Sequence, residues 1–227
     1  MKTITKILTT TKRIFKDRES AGNELATYIG NELKGQPLDN AIVLGLPRGG
    51  VPTAFCVAEK LSCPLDIVVP RKIGAPGHEE YAIGAIDENG QGYLNQSVIE
   101  MMGISQRYLH QQIELEKKES QRRRSVYRSG KSPIELKDKL VILVDDGIAT
   151  GSTMKAAIES VYSKSPREII VAVPVAPDDT LQDIQEMKKV DKIFCLCVPS
   201  NFQAVGCFYK VFDQTSDETV IRLMNKK

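Results

Sequence analysis

The chain has 227 residues, 41% of them hydrophobic, enough for a substantial buried core in one good-sized α/β domain or two small ones. Its 31 basic and 29 acidic residues nearly cancel, which excludes a partner chosen by bulk charge, so neither nucleic acid nor a membrane surface is expected. No apolar run approaches membrane-spanning length, and the basic start from Met1 to Lys16 lacks the apolar stretch and cleavage site of a targeting sequence, so a cytoplasmic protein is expected.

A helix should come first: Asp17 can cap it, Ala21, Leu25, Ile29 and Leu33 share one face, and Gly35 ends it. Ala41 to Leu46 reads as a buried strand, followed by the loop Pro47 to Val51. The next helix has Pro52 in its first turn and Ala54, Val57, Ala58 and Leu61 as its apolar stripe. A second strand, Asp66 to Pro70, runs into Arg71-Lys72 and a segment rich in Gly and Pro. Within it, Tyr81 to Ile86 and Gly92 to Leu94 are spaced to pair as a hairpin around Glu88-Asn89-Gly90, since Asn-Gly is a strong turn signal.

From Val98 to about Tyr127 the pattern is one long polar helix, on which Arg122, Arg123 and Arg124 read as a solvated face. Ser129 to Pro133 breaks it. Strand, loop and helix then repeat: Leu140 to Val144 is wholly apolar, as a strand buried on both faces should be. Gly147 to Thr153 makes a loop and Met154 to Tyr162 a helix. Ile169 to Val173 and Ile193 to Val198 are further strands, with a helix near Asp179 to Val190 between them. Thr215 to Glu218 has the form of a capping box for a last helix. Apolar strands alternating with helices imply an α/β fold, a mostly parallel sheet with helices on both faces. Ligands of such sheets bind at the carboxyl ends of the strands, which places the loops starting at Pro47, Arg71, Asp145 and Pro174 on the binding edge. The five cysteines are irregularly spaced and the two histidines, His78 and His110, lie far apart, so there is no zinc pattern. Cys195 and Cys197 read as reduced packing residues in a strand.

The stretch from Val141 to Thr153 carries the most chemistry. Two adjacent carboxylates, Asp145 and Asp146, leave a buried strand together, an arrangement that costs stability and therefore asks for a function. They can accept hydrogen bonds from a vicinal diol or bind a hydrated Mg²⁺. The following loop combines two glycines with the hydroxyls of Thr150, Ser152 and Thr153 and leads into a helix N-terminus, which suits a phosphate. It is not a Walker A loop, because the spacing differs and no Lys follows the second glycine. A diol clamp beside a monophosphate cradle describes a site for ribose 5-phosphate.

Val144-Asp-Asp-Gly-Ile-Ala-Thr-Gly-Ser-Thr153 resembles the motif by which the type I phosphoribosyltransferases bind phosphoribosyl pyrophosphate (PRPP). The resemblance implies that the whole chain, 1–227, is one phosphoribosyltransferase domain with a mobile hood or loop and a long-helix insertion at about 73–130. It implies an enzyme of nucleotide salvage that uses PRPP, Mg²⁺ and a nitrogen base. Asp145 and Asp146 would hold the ribose hydroxyls and, through substrate or water, the metal, and Ala149, Thr150, Gly151, Ser152 and Thr153 would wrap the 5-phosphate. Arg48, Gly49 and Gly50 match the family's pyrophosphate loop, and Arg71 and Lys72 its catalytic basic pair. The segment Ile73 to Asn95 resembles its mobile loop. Dimers are common in the family, so a homodimer is an expected assembly.

The wider sequence, including Arg71 to Gly77 and Ala204-Val-Gly206, is similar to a bacterial branch whose members are sometimes joined to hydrolase domains. Hypoxanthine–guanine enzymes have an Asp where this chain has Ala149, which argues against that substrate pair. The acceptor would sit under the C-terminal strands, with Pro174 to Pro177 as a wall and Phe202, Phe208 or Tyr209 stacking on the base. The alternative is a regulator that senses PRPP or a nucleotide without turnover. Against it stands the lack of a DNA-binding module or strongly basic face. A hydrolase fits less well: there is no Gly-x-Ser-x-Gly elbow, and His78-Glu79-Glu80 is not a zinc motif.

Overall fold

The computed structural model describes residues 4–9, 13–87, 89–90 and 92–226. In chain order these form β1 (Ile4–Thr9), α1 (Arg18–Glu32), β2 (Ala41–Gly45), α2 (Gly50–Leu61), β3 (Leu65–Ile67), β4 (Arg71–Ala75), β5 (His78–Ile86) and β6 (Gly92–Leu94). Then follow α3 (Gln96–Met101), α4 (Gln106–Arg128), β7 (Leu140–Val144), α5 (Ser152–Tyr162), β8 (Glu168–Val175), α6 (Asp178–Glu186), β9 (Lys192–Cys197), a 3₁₀ turn (Val205–Phe208) and α7 (Asp217–Asn225).

Six strands make one sheet in the order β1-β9-β8-β7-β2-β3, with every pairing parallel. The apolar runs are continuous because successive residues of a strand serve opposite faces. On β7, Leu140, Ile142 and Val144 join the core under α1 and α2, whereas Val141 and Leu143 join the core under α5 and α6. Asp17 starts α1 as expected, its carboxylate accepting from the Ser20 amide. Among the described residues no helix is long and apolar enough to cross a membrane.

The structure departs from the sequence expectations in four places. The segment Ile73 to Asn95, in which only a hairpin was expected, forms with Arg71 and Lys72 a three-stranded antiparallel sheet, β4-β5-β6, with β4 as the added strand. Its apolar face (Ile73, Ala75, Ile83, Ile86) closes on Ile99, Ile104 and Leu109. The expected hairpin is β5 and β6, in register Ile86 to Gly92; Glu88 of its turn lies outside the described residues. The long polar helix is two helices. Asn95 and Ser105 each cap one, and Gly103 between them has φ +62°, a conformation in which only glycine is unstrained. A strand, not a helix, is the first element, pairing with β9 at the sheet edge. The last helix is capped by Ser216, whose hydroxyl accepts from the Thr219 amide, one residue later than the expected box.

Candidate active site

Asp145 and Asp146 emerge together from the end of β7, and the Asp146 amide donates to Asp145 Oδ1 at 2.9 Å. Burial, and after it the charge of Asp146, pushes the Asp145 carboxyl well above the usual carboxylate range. Asp146 is 8% exposed and has a counter-charge: Arg18 Nε donates to its Oδ2 at 2.6 Å. The same guanidinium donates to the Asp213 carbonyl at 2.7 Å and lies 3.9 Å above the Phe212 ring. From below, the Tyr209 hydroxyl donates to the Asp146 carbonyl at 2.5 Å.

The loop after β2 lies directly on this pair. A Cβ on Gly49 would collide with the Asp146 carboxylate, and one on Gly50 would stand 2.6 Å from Asp145 Oδ1 and 2.8 Å from Asp145 Cα. Glycine is therefore required here by close approach. Arg48 extends from this loop towards α7, its Nη1 3.5 Å from Asp217 Oδ1.

Beyond the carboxylates the chain turns through Gly147 to Thr153 into α5. Ala149, Thr150 and Thr153 are exposed, and the Thr150 and Ser152 hydroxyls sit 3.3 Å apart. Gly151 has φ +76° and faces Thr180, where a Cβ would come 2.7 Å from Thr180 Cγ2. Thr180 Oγ1 donates to the Ala149 carbonyl at 2.8 Å, pinning the loop from the first turn of α6. The result is a hollow of about 210 Å³ lined by Asp145, residues 147–154 and Val205. It opens on amide groups at a helix N-terminus, a setting that favours an anion.

Residues 11–209 match the phosphoribosyl transferase domain family. The chain belongs to the phosphoribosyltransferase family. It is 39% identical over 214 residues to a Mycobacterium tuberculosis protein whose provisional name is phosphoribosyl transferase, covering 94% of this chain and 47% of that protein. The chain thus spans about half the length of that relative. A crystal structure of TT1426 from Thermus thermophilus superposes with a TM-score of 0.78 at 37% identity, over 93% of this chain and 97% of that one. AQ2163 from Aquifex aeolicus shares the fold at 15% identity, with a TM-score of 0.52 over 83% of this chain and 78% of that one.

Seen as a phosphoribosyltransferase site, the structure brings together most of the residues expected from sequence: Asp145, Asp146, Gly49, Gly50 and the loop from Ala149 to Thr153 share one edge of the sheet. Arg71 and Lys72 stand on β4, outside the parallel sheet, and Arg71 Nε is engaged by Glu116 of α4 at 2.6 Å. Of the three aromatics expected to stack on the base, two are closed off and the third, Phe202, is half-buried. Phe208 and Tyr209 are buried in the core, and Phe202 stacks on Phe208 at 5.6 Å. Pro174 to Ala176 are buried as well, because β8 continues through Val175. The sequence reading missed Arg18, Phe212 and Thr180. Arg18 lies 128 residues from Asp146 and looks like any first-turn helix residue, so no local signal marks it.

Proposed function

We propose that this phosphoribosyltransferase binds PRPP and Mg²⁺ and transfers the 5-phosphoribosyl group to a nitrogen base, releasing pyrophosphate. The observation that carries the proposal is the packing of the Gly49-Gly50 loop onto the Asp145–Asp146 pair, with the phosphate-sized hollow immediately beyond. That order along one edge matches the order of groups in PRPP: pyrophosphate, ribose diol, 5-phosphate.

In this reading the 5-phosphate takes the amides of residues 149–153 and the hydroxyls of Thr150, Ser152 and Thr153. Asp145 and Asp146 accept from the ribose hydroxyls, and their negative charge faces the ring as it becomes cationic. The Gly49 and Gly50 backbone and the Arg48 guanidinium take the pyrophosphate, with Arg71 and Lys72 approaching from β4. The C1–oxygen bond to pyrophosphate breaks, a bond from the base nitrogen to C1 forms, and the electron pair leaves with pyrophosphate. Most of the rate would come from positioning and electrostatics.

The donor set fits Mg²⁺. Two adjacent carboxylates suit a hydrated ion that completes its shell with water and phosphate oxygens, and no group of three or more His, Cys, Asp or Glu among the described residues forms a closed cage. When bound, the ion would neutralise charge on the leaving pyrophosphate. For Asp146 to serve the diol, Arg18 must share or release its carboxylate, which makes Arg18 the resting counter-ion of the site.

The test is pyrophosphate release from PRPP and Mg²⁺ across a panel of nucleobases and related acceptors. Release that requires one acceptor and disappears in the Asp145→Asn/Asp146→Asn variant supports the proposal. Release without an acceptor would indicate hydrolysis, and tight PRPP binding without release a sensor.

A further inference from the structure

Arg71 begins β4 inside a segment that α4 holds from end to end. The Arg128 guanidinium binds Asp66 (Nε at 2.7 Å, Nη2 at 3.0 Å) and donates to the Ile67 carbonyl at 3.1 Å. Ser120 Oγ donates to the Val69 carbonyl at 2.6 Å. Glu116 accepts from Arg71 Nε at 2.6 Å, and the Tyr108 hydroxyl donates to the Gly74 carbonyl at 2.9 Å. These four residues of α4 are spaced in multiples of four, so successive contacts follow one row of the helix surface. The lengths also agree. Eight extended steps from Asp66 to Gly74 cover about 26 Å, and twenty helical ones from Tyr108 to Arg128 about 30 Å.

Three of these contacts would serve any structural strut, since they end on backbone or on a buried carboxylate. Glu116 differs, because its partner is a cation. The bond takes only Nε, so the guanidinium keeps its Nη groups for an anion. The pair is shielded as well as short, with the Arg71 and Glu116 side chains 25% and 18% exposed. Arg48 meets Asp217 more loosely, at 3.5 Å with side chains 32% and 41% exposed, a contact that orients little. A free arginine loses its rotamer freedom when it binds an anion, whereas one already held has less to lose.

We propose that Glu116 is a positioning residue, which holds Arg71 in the orientation that meets pyrophosphate while α4 fixes the backbone on either side. The inference rests on the reading of Arg71 as a pyrophosphate cation. Charge alone predicts the opposite effect: a carboxylate near a bound pyrophosphate repels it, so deleting Glu116 would tighten binding. Loss of orientation weakens it. The sign of the change therefore decides.

The test is calorimetric titration of the whole chain in Mg²⁺ with PRPP, pyrophosphate and ribose 5-phosphate. Glu116→Ala should weaken PRPP and pyrophosphate about fivefold or more and leave ribose 5-phosphate within about twofold. Glu116→Gln, whose amide oxygen can still accept from Nε, should recover most of the loss. Glu116→Asp, which keeps the charge but not the reach, should not. Arg71→Ala should weaken pyrophosphate about tenfold or more, and adding Glu116→Ala should then cost nothing further. Unfolding temperatures of all variants serve as the folding control. Pyrophosphate binding by Glu116→Ala and Glu116→Asp as tight as in wild type, or tighter, overturns the proposal. So does an equal loss for ribose 5-phosphate, which would make Glu116 a structural strut only, or a further loss in the Arg71→Ala background. Pyrophosphate binding unchanged by Arg71→Ala would refute the role of Arg71, and no PRPP binding by wild type would refute the transferase reading; either result removes the inference with it.

Discussion

Replacing Gly50 by Ala tests the close approach at the centre of the site, because the outcome runs against ordinary helix propensity. Gly50 is the first residue of α2, where Ala would normally stabilise by up to about 1 kcal/mol. Here an added Cβ meets Asp145 Oδ1 at 2.6 Å, Asp145 Cα at 2.8 Å and the Val144 carbonyl oxygen at 2.9 Å. Two of those three atoms are backbone, and the Val144 carbonyl is itself held by the Leu46 amide at 3.0 Å, so the strand end has little room to yield. Overpacking of this kind costs about 1–3 kcal/mol. With two of the three contacts to backbone the upper part of that range, about 2–3 kcal/mol, applies, so the net loss is about 1–2 kcal/mol, or about 2–8 °C in Tm for a chain of this size. Gly30→Ala is the control. It lies inside α1 with only Leu61 Cδ2 nearby, at 3.6 Å, and should gain about 0.5–1 kcal/mol. Thermal unfolding of the ligand-free protein followed by circular dichroism reads both. A Gly50→Ala protein as stable as wild type would refute the packing of the loop on the carboxylate pair.

Asp145→Asn should stabilise the ligand-free protein at neutral pH while abolishing PRPP binding. The sign follows from linkage: the folded state holds Asp145's proton more tightly than the unfolded chain does. This residue's contribution is therefore fully present below the unfolded carboxylate range and lost as pH rises through its raised folded value. Tm against pH should show the variant gaining on wild type as pH increases; parallel curves would contradict the shift. Arg18→Ala removes the counter-ion of Asp146 from a largely buried pair and should cost up to about 3 kcal/mol by urea unfolding. Adding Asp146→Asn should recover part of that loss; a strictly additive double-mutant cycle would show the pair is uncoupled. Thr180→Val deletes the bond to the Ala149 carbonyl. It should cost about 1 kcal/mol in stability and weaken PRPP binding in calorimetry; unchanged affinity would remove Thr180 from the loop's support.

What could be read from sequence was local and contiguous. The β7 strand and the motif after it form one unbroken segment, so apolar periodicity, paired carboxylates and a Gly/Thr/Ser loop declared both fold class and hollow. Of the antiparallel sheet the β5–β6 hairpin was legible from Asn89-Gly90, whereas β4 was obscured because Gly74, Pro76 and Gly77 punctuate a short strand whose Ile73 and Ala75 join Ile83 and Ile86 only once the strands are in register. The break between α3 and α4 rests on the single residue Gly103 within a polar run. Phe208 and Tyr209 were misassigned because an aromatic that stacks on a ligand and one that fills a core have the same sequence appearance. Only burial separates them. Arg18 and Arg128 owe their roles to Asp146 and Asp66, carboxylates brought close by tertiary contact alone.

The central claim is that PRPP sits on the Asp145–Asp146 edge, and calorimetric titration with PRPP and Mg²⁺ tests it most directly. Saturable one-to-one binding in the wild-type protein, weakened at least about a hundredfold in the Asp145→Asn/Asp146→Asn variant, is the predicted result. No binding by the wild type, or equal binding by the variant, would contradict the account.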